Sequence, residues 1–155
     1  VLTGAIDDVV LPPGVSGFDA LTMFHVIEHL DSPQRALHQA RSLLRPGGVV
    51  MIETPTVDCL WFRVAPRRWR QLIPDHYFFF SRATLEALLR RCDFQPVSFA
   101  KVGRQVSLRF LADRLRRSGV PLAAGLAGGV RTLGLGDRTV RVSPGDIMQV
   151  VAIAR

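Results

Sequence analysis

Two short apolar runs flank one amphipathic segment, and this order constrains the fold more than any other feature of the chain. Phe18 to Phe24 (FDALTMF) follows the turn-rich Pro12-Pro13-Gly14 and Gly17 and reads as a buried strand. Ser32 then offers a helix N-cap with Pro33 at the first helical position. Ala36, Leu37, Ala40, Leu43 and Leu44 fall on one helical face, Arg41 and Arg45 complement the helix dipole, and Pro46-Gly47-Gly48 stops the helix. Val49 to Glu53 (VVMIE) is a second buried strand. Strand, helix, strand makes a βαβ unit, whose strands run parallel and whose crossover is right-handed.

The rest of the chain extends this unit into an open α/β sheet. Ser81 caps a helix that buries Leu85, Leu88, Leu89 and Cys92 at i, i+3, i+4 and i+7, and Val97 to Val102 reads as a further strand. Leu108, Leu111, Ala112 and Leu115 mark another helix, and Ile147 to Ala154 forms a last strand. The organisation expected is one domain over residues 1–155, with a lid or acceptor loop at 55–76 and a helical insertion at 103–145 before the last strand. The loop carries Trp61, Phe62 and Trp69, and unstructured segments of this length inside a domain usually cover or bind something. In such sheets ligands bind outside the carboxyl ends of the parallel strands. Those ends are Phe24-His25 and Glu53-Thr54-Pro55, so one crevice is lined by both.

Composition narrows the function classes. The net charge is +7, but the basic residues are almost all arginines spread along the chain, with Lys101 the only lysine. A nucleic-acid binder would gather that charge into a patch, so no nucleic-acid partner is expected. Cys59 and Cys92 are too few for a disulfide framework and suit a reducing, cytoplasmic compartment. The longest stretch without a charge, Ser118 to Val130, is short of the roughly 18 apolar residues of a membrane span. Leu122 to Leu135 is rich in Ala, Gly and Leu, which fits either a Gly-broken helix packed on the sheet or peripheral contact with a membrane.

His25-Val26-Ile27-Glu28-His29 matches H-x-x-E-H, a zinc-peptidase signature with two His ligands and a Glu beside the activated water. That reading needs a helix carrying the motif and a third ligand, whereas here the motif follows a strand directly. The wider run FDALTMFHVIEHLDSPQRALHQARSLLRPGGVVMIETP resembles instead the central block of class I S-adenosylmethionine-dependent methyltransferases. In that family Phe18-Asp19 would open the fourth strand, Glu28-His29 follow it, and Leu44 to Gly48 introduce the fifth. His76-Tyr77-Phe78-Phe79-Phe80-Ser81 is similar to the continuation in a branch acting on small molecules and glycolipids.

The resemblance implies a Rossmann-like fold and methyl transfer from S-adenosylmethionine to a small-molecule or lipid- or sugar-linked acceptor. Phe24 and His25 would lie beside the methionine end of the cofactor, and Ala5 and Ile6 near the adenine, where many relatives place an acidic residue. His76 and His29 are the candidate catalytic residues, each with a structural role as the alternative. Trp61, Arg63 and Trp69 would shape the acceptor pocket, or else pack a lid on the sheet. Some relatives hold a divalent metal with Glu-x-x-Glu-His and a later His. Glu28, His29 and His76 match, but His25 replaces the first Glu and removes an oxygen ligand, so no metal is expected. The family's glycine-rich cofactor loop would precede Val1. The chain is therefore expected to hold the second half of the fold, to leave the Phe18 strand as an exposed edge through which copies could associate, and not to catalyse alone. A non-catalytic interaction domain built on the same half-fold is the alternative from another class.

Overall fold

The computed structural model describes residues 4–11, 13–117, 132 and 134–155. They form two compact units, one of Val1–Val102 with Pro144–Arg155 and one of Gly103–Ser143. In the larger unit, strands β1 (Phe18–Phe24) and β2 (Leu44–Pro55) flank helix α1 (Pro33–Leu43). A long connection carries the short helix α2 (Leu60–Val64), and helix α3 (Arg82–Arg91) leads into strand β3 (Phe94–Lys101). The smaller unit holds β4 (Arg104–Ser107), α4 (Leu108–Arg117) and β5 (Thr139–Val142), after which β6 (Ile147–Ala154) returns to the main sheet.

That sheet has four strands in the order β1-β2-β6-β3. β1 and β2 are parallel, as the βαβ pattern requires, and β6 runs antiparallel to both β2 and β3. β1 stands at the edge of the sheet, with Phe18 and Phe24 exposed. The strand period of two sorts β2: Val50, Ile52 and Thr54 are buried, and Val49, Met51 and Glu53 are half-buried. Val50 and Ile52 join Val150 and Ala152 of β6, Leu37 and Ala40 of α1, and Leu85 and Leu89 of α3 in one core.

Helices α1 and α3 begin where their caps predict. Ser32 Oγ accepts the Arg35 N–H at 3.3 Å with Pro33 in the first turn, and Ser81 and Thr84 cap each other's backbone reciprocally. The α1 terminus differs from expectation. The helix ends at Leu43, and Leu44 is already extended opposite Phe18, so Pro46-Gly47-Gly48 lies within β2. Close approach explains the glycine: a Cβ on Gly48 would stand 2.9 Å from the Arg45 carbonyl oxygen and 3.1 Å from that of Phe18. β3 also starts earlier than the Val97 expected, because Phe94 is buried and pairs with Ala154.

Residues 103–145, expected as a helical insertion, contain a strand pair as well as helix. β4 and β5 pair antiparallel from Arg104 opposite Val142 to Ser107 opposite Thr139. The expectations for Leu122 to Leu135 lie outside the described residues, apart from Thr132, Gly134 and Leu135. Among the described residues no helix is long and apolar enough to cross a membrane.

Candidate active site

The tip of β1 is bent into an unusual conformation. His25 has φ 53°, a left-handed value that costs a non-glycine residue about 1–2 kcal/mol. Its N–H donates to the Glu53 carbonyl at 2.8 Å, which extends the parallel pairing of β1 and β2 one residue past the strand. Its side chain reaches carboxylates on both sides: Nδ1–H donates to Glu28 Oε1 at 3.2 Å, and Nε2 lies 3.3 Å from Glu53 Oε1. A 3-10 turn, Ile27–His29, follows and carries Glu28 inward.

Glu28 is 0% exposed and ties three segments together. Its Oε1 accepts from His25, its Oε2 accepts the Thr54 hydroxyl at 2.9 Å, and its backbone carbonyl accepts the N–H groups of Tyr77 and Phe78 at 2.9 and 3.2 Å. The β1 tip, the β2 tip and the end of the 55–76 loop therefore meet at one residue. A buried carboxylate persists only when its oxygens are satisfied, and both are satisfied here.

His29 and His76 stand beside this knot as a pair, their ring centroids 4.6 Å apart and edge-on. Each is oriented by a backbone carbonyl: His29 Nδ1–H donates to Asp75 O at 2.7 Å, and His76 Nδ1–H to Gln71 O at 2.8 Å. Nδ1 is thus the protonated nitrogen, which leaves both Nε2 atoms as acceptors, bases or ligands. His29 is exposed and His76 is 9% exposed. One ligand atom from each of Glu28, His29 and His76 lies within 4.8 Å of the others, a mixed carboxylate and imidazole set of the kind that zinc and its neighbours accept.

The other sequence-predicted residues are placed as follows. Phe24 is half exposed at the β1 tip next to His25. Ala5 is exposed and precedes a 3-10 turn, Ile6–Asp8, and Ile6 packs on the core. The three acceptor candidates separate. Trp61 and Arg63 lie on the outside of α2, whereas Trp69 is buried against Phe62 and Phe79, at ring centroid distances of 5.1 and 5.7 Å. The Trp69 indole N–H has no acceptor among the described residues. Further along the same sheet edge, Thr56, Asp58, Arg82, Phe99, Lys101 and Met148 line a cleft of about 200 Å³.

Sequence reasoning put Glu53 and Thr54 at the expected crevice without a partner for either, and gave no role to Asp146 or Arg70. Arg70 makes a bidentate pair with the buried Asp146, its Nε donating at 2.7 Å, and this fastens the loop to the start of β6. The signal available was the polar pair Glu53-Thr54 following the apolar run Val49 to Ile52. The zinc-peptidase reading is overturned. His25 and His29 sit on a left-handed turn and a single 3-10 turn, so no helix presents them on one face, and Glu28 is spent on His25 and Thr54.

Comparison with known proteins agrees with that correction. Residues 7–98 match the methyltransferase domain family. The tRNA U34 carboxymethyltransferase of Chromohalobacter salexigens is 35% identical over 88 residues, which are 56% of this chain and 26% of that protein. The mitochondrial ubiquinone biosynthesis O-methyltransferase of Candida albicans is 39% identical over 59 residues, 37% of this chain and 17% of that protein. The chain thus spans about a quarter or less of the length of these relatives. A SAM-dependent methyltransferase from Thermotoga maritima has the same Rossmann-like fold, with a TM-score of 0.57 at 19% identity over 99% of this chain and 63% of that one.

Proposed function

This chain belongs to the methyltransferase domain family, and from that premise we propose that it serves methyl transfer from S-adenosylmethionine to a small-molecule or lipid- or sugar-linked acceptor. The observation that carries the reading is the pair of imidazoles, each fixed through Nδ1 to a carbonyl, beside the tips of two parallel strands. S-adenosylmethionine supplies an electrophilic methyl group on a sulfonium, so the protein's tasks are orientation and removal of the acceptor proton.

His76 is the proposed base, since its Nε2 is the acceptor nitrogen of a largely buried ring with one fixed tautomer. His29 packs edge-on against it, holds its plane, and gives an alternative proton acceptor at the surface. The half-exposed Phe24 ring and the left-handed His25 turn at the β1 tip are proposed to lie beside the methionine end of the cofactor, with Ala5 and Ile6 toward the adenine. Trp69, with its unpaired indole N–H, is the better acceptor-side candidate, while Trp61 and Arg63 face outward.

Calorimetric titration of the full-length protein with S-adenosylmethionine, paired with a methyl-transfer assay on that protein, tests the reading. Binding should survive His76→Ala while transfer falls by about 10²- to 10⁴-fold, the usual contribution of a positioned base. Absence of binding by the unaltered protein would refute the cofactor assignment, and unchanged transfer in His76→Ala would refute the base.

A further inference from the structure

The connection between β2 and α3 is firmly fastened on its inner side. Trp69 is buried, Arg70 is paired with Asp146, the Asp75 and Gln71 carbonyls are held by His29 and His76, and Asp58 Oδ2 accepts the Arg82 N–H at 2.7 Å. Its outer side is nonetheless strongly apolar. Leu60 is 74% exposed, Trp61 55% and Val64 71%, with Leu72, Ile73 and Tyr77 also in water. Helix α2 buries none of its residues, although Leu60, Trp61 and Val64 at i, i+1 and i+4 form one apolar face. An exposed apolar surface on a segment fixed this well calls for a partner.

Charge indicates which partner. Leu60–Tyr77 contains four arginines and one acidic residue, Asp75; Arg70 is paired with Asp146, and Arg63, Arg67 and Arg68 are exposed among the apolar side chains. Single-stranded RNA would employ the arginines and Trp61, but it offers nothing to Leu60, Val64, Leu72 and Ile73. The boundary of an anionic bilayer takes both kinds of group, aliphatic and aromatic side chains below the headgroups and guanidinium groups at the phosphates.

We propose that Leu60–Tyr77, the segment that carries His76, docks the protein on an anionic lipid surface. The proposal stands independently of which acceptor is methylated.

The protein has two tryptophans, and only Trp61 is exposed, so the unaltered protein carries its own probe. Phosphatidylcholine vesicles containing phosphatidylglycerol should bind it, shift its emission to the blue, and quench it when the acyl chains are brominated. Trp61→Phe should abolish the shift while flotation with the vesicles persists. Neutralising Arg63, Arg67 and Arg68 to Gln should weaken binding by about fivefold per cation, and Leu60→Asp with Val64→Asp should weaken it on the same vesicles. No flotation with the anionic vesicles, an unshifted Trp61, or salt-sensitive binding of tRNA without vesicle binding would overturn the proposal.

Discussion

Glu28 is the residue on which the geometry of the site depends, and its replacement has a calculable cost. Glu28→Ala removes the acceptor of two donors, His25 Nδ1–H and the Thr54 hydroxyl, from a position with no solvent access. Two donors left without an acceptor cost about 1–3 kcal/mol each and the lost side-chain volume adds to that, so the expected cost is about 3–5 kcal/mol. Glu28→Gln keeps the volume and one acceptor oxygen, and rotation of the Thr54 hydroxyl lets it accept from the new amide, so the expected cost is about 1–2 kcal/mol. For a chain of this length each kcal/mol lowers the melting temperature by about 2–4 °C, so Glu28→Ala should lose about 6–20 °C. Trp61 and Trp69 both lie in the larger unit, so urea unfolding followed by tryptophan emission reads the unit that contains Glu28. Thr54→Val should cost about 1.5–3 kcal/mol, the value of a hydrogen bond to a charged group, and less in the Glu28→Ala background, where its partner is gone. If Glu28→Ala were no worse than Glu28→Gln, or if both fell within about 0.5 kcal/mol of the parent as ordinary surface changes do, the three-segment knot would not be a structural fact.

Two further outcomes follow from the same packing logic. Gly48→Ala should destabilise by about 1–3 kcal/mol through overpacking against the Arg45 and Phe18 carbonyl oxygens, and an unchanged thermal midpoint would refute that close approach. Burial pushes the Cys92 thiol above its ordinary pKa of 9.0, with Asp93 adding to the effect. The unfolded chain therefore ionises first as pH rises, and Cys92 adds stability that is full below the unfolded value and lost as pH climbs through the folded one. Urea midpoints taken across that range should fall less steeply in Cys92→Ala than in the parent, and identical slopes would contradict the assignment.

The elements readable from sequence are those whose signals are local. Ser32-Pro33 and Ser81 with Thr84 place two helix starts within a few residues, and the mostly apolar runs at Phe18 and Ile147 mark strands, although only the second is largely buried, because β1 stands at the sheet edge with Met23 its one buried residue. The β4 and β5 pair escaped because its strands are four residues each and separated by more than thirty, so neither has a period long enough to detect. The start of β2 was misplaced for a related reason. Pro46-Gly47-Gly48 is turn chemistry by composition, yet the chain there is held extended by contact with Phe18, a tertiary constraint that no local propensity reports.

The site divides along the same line. His25, Glu28 and His29 are neighbours in sequence, so their grouping was visible, but their meaning depends on partners 25 to 50 residues away. Glu28 meets Thr54 only because β1 and β2 pair parallel with Phe24 opposite Glu53, and His29 meets Asp75 only because Glu28 anchors the returning loop at Tyr77 and Phe78. A one-residue slip in the β1 and β2 register would turn Thr54 to the other face of the sheet and leave the Glu28 carboxylate buried with an unsatisfied oxygen. The strain at His25 belongs to the same bargain. Its left-handed turn is what lets the chain leave β1, present an imidazole to both Glu28 and Glu53, and still drop Glu28 into the core three residues later. Replacing His25 by glycine would relieve the strain but remove one of the two donors to the buried carboxylate, so the histidine is favoured there by electrostatics against its own backbone preference.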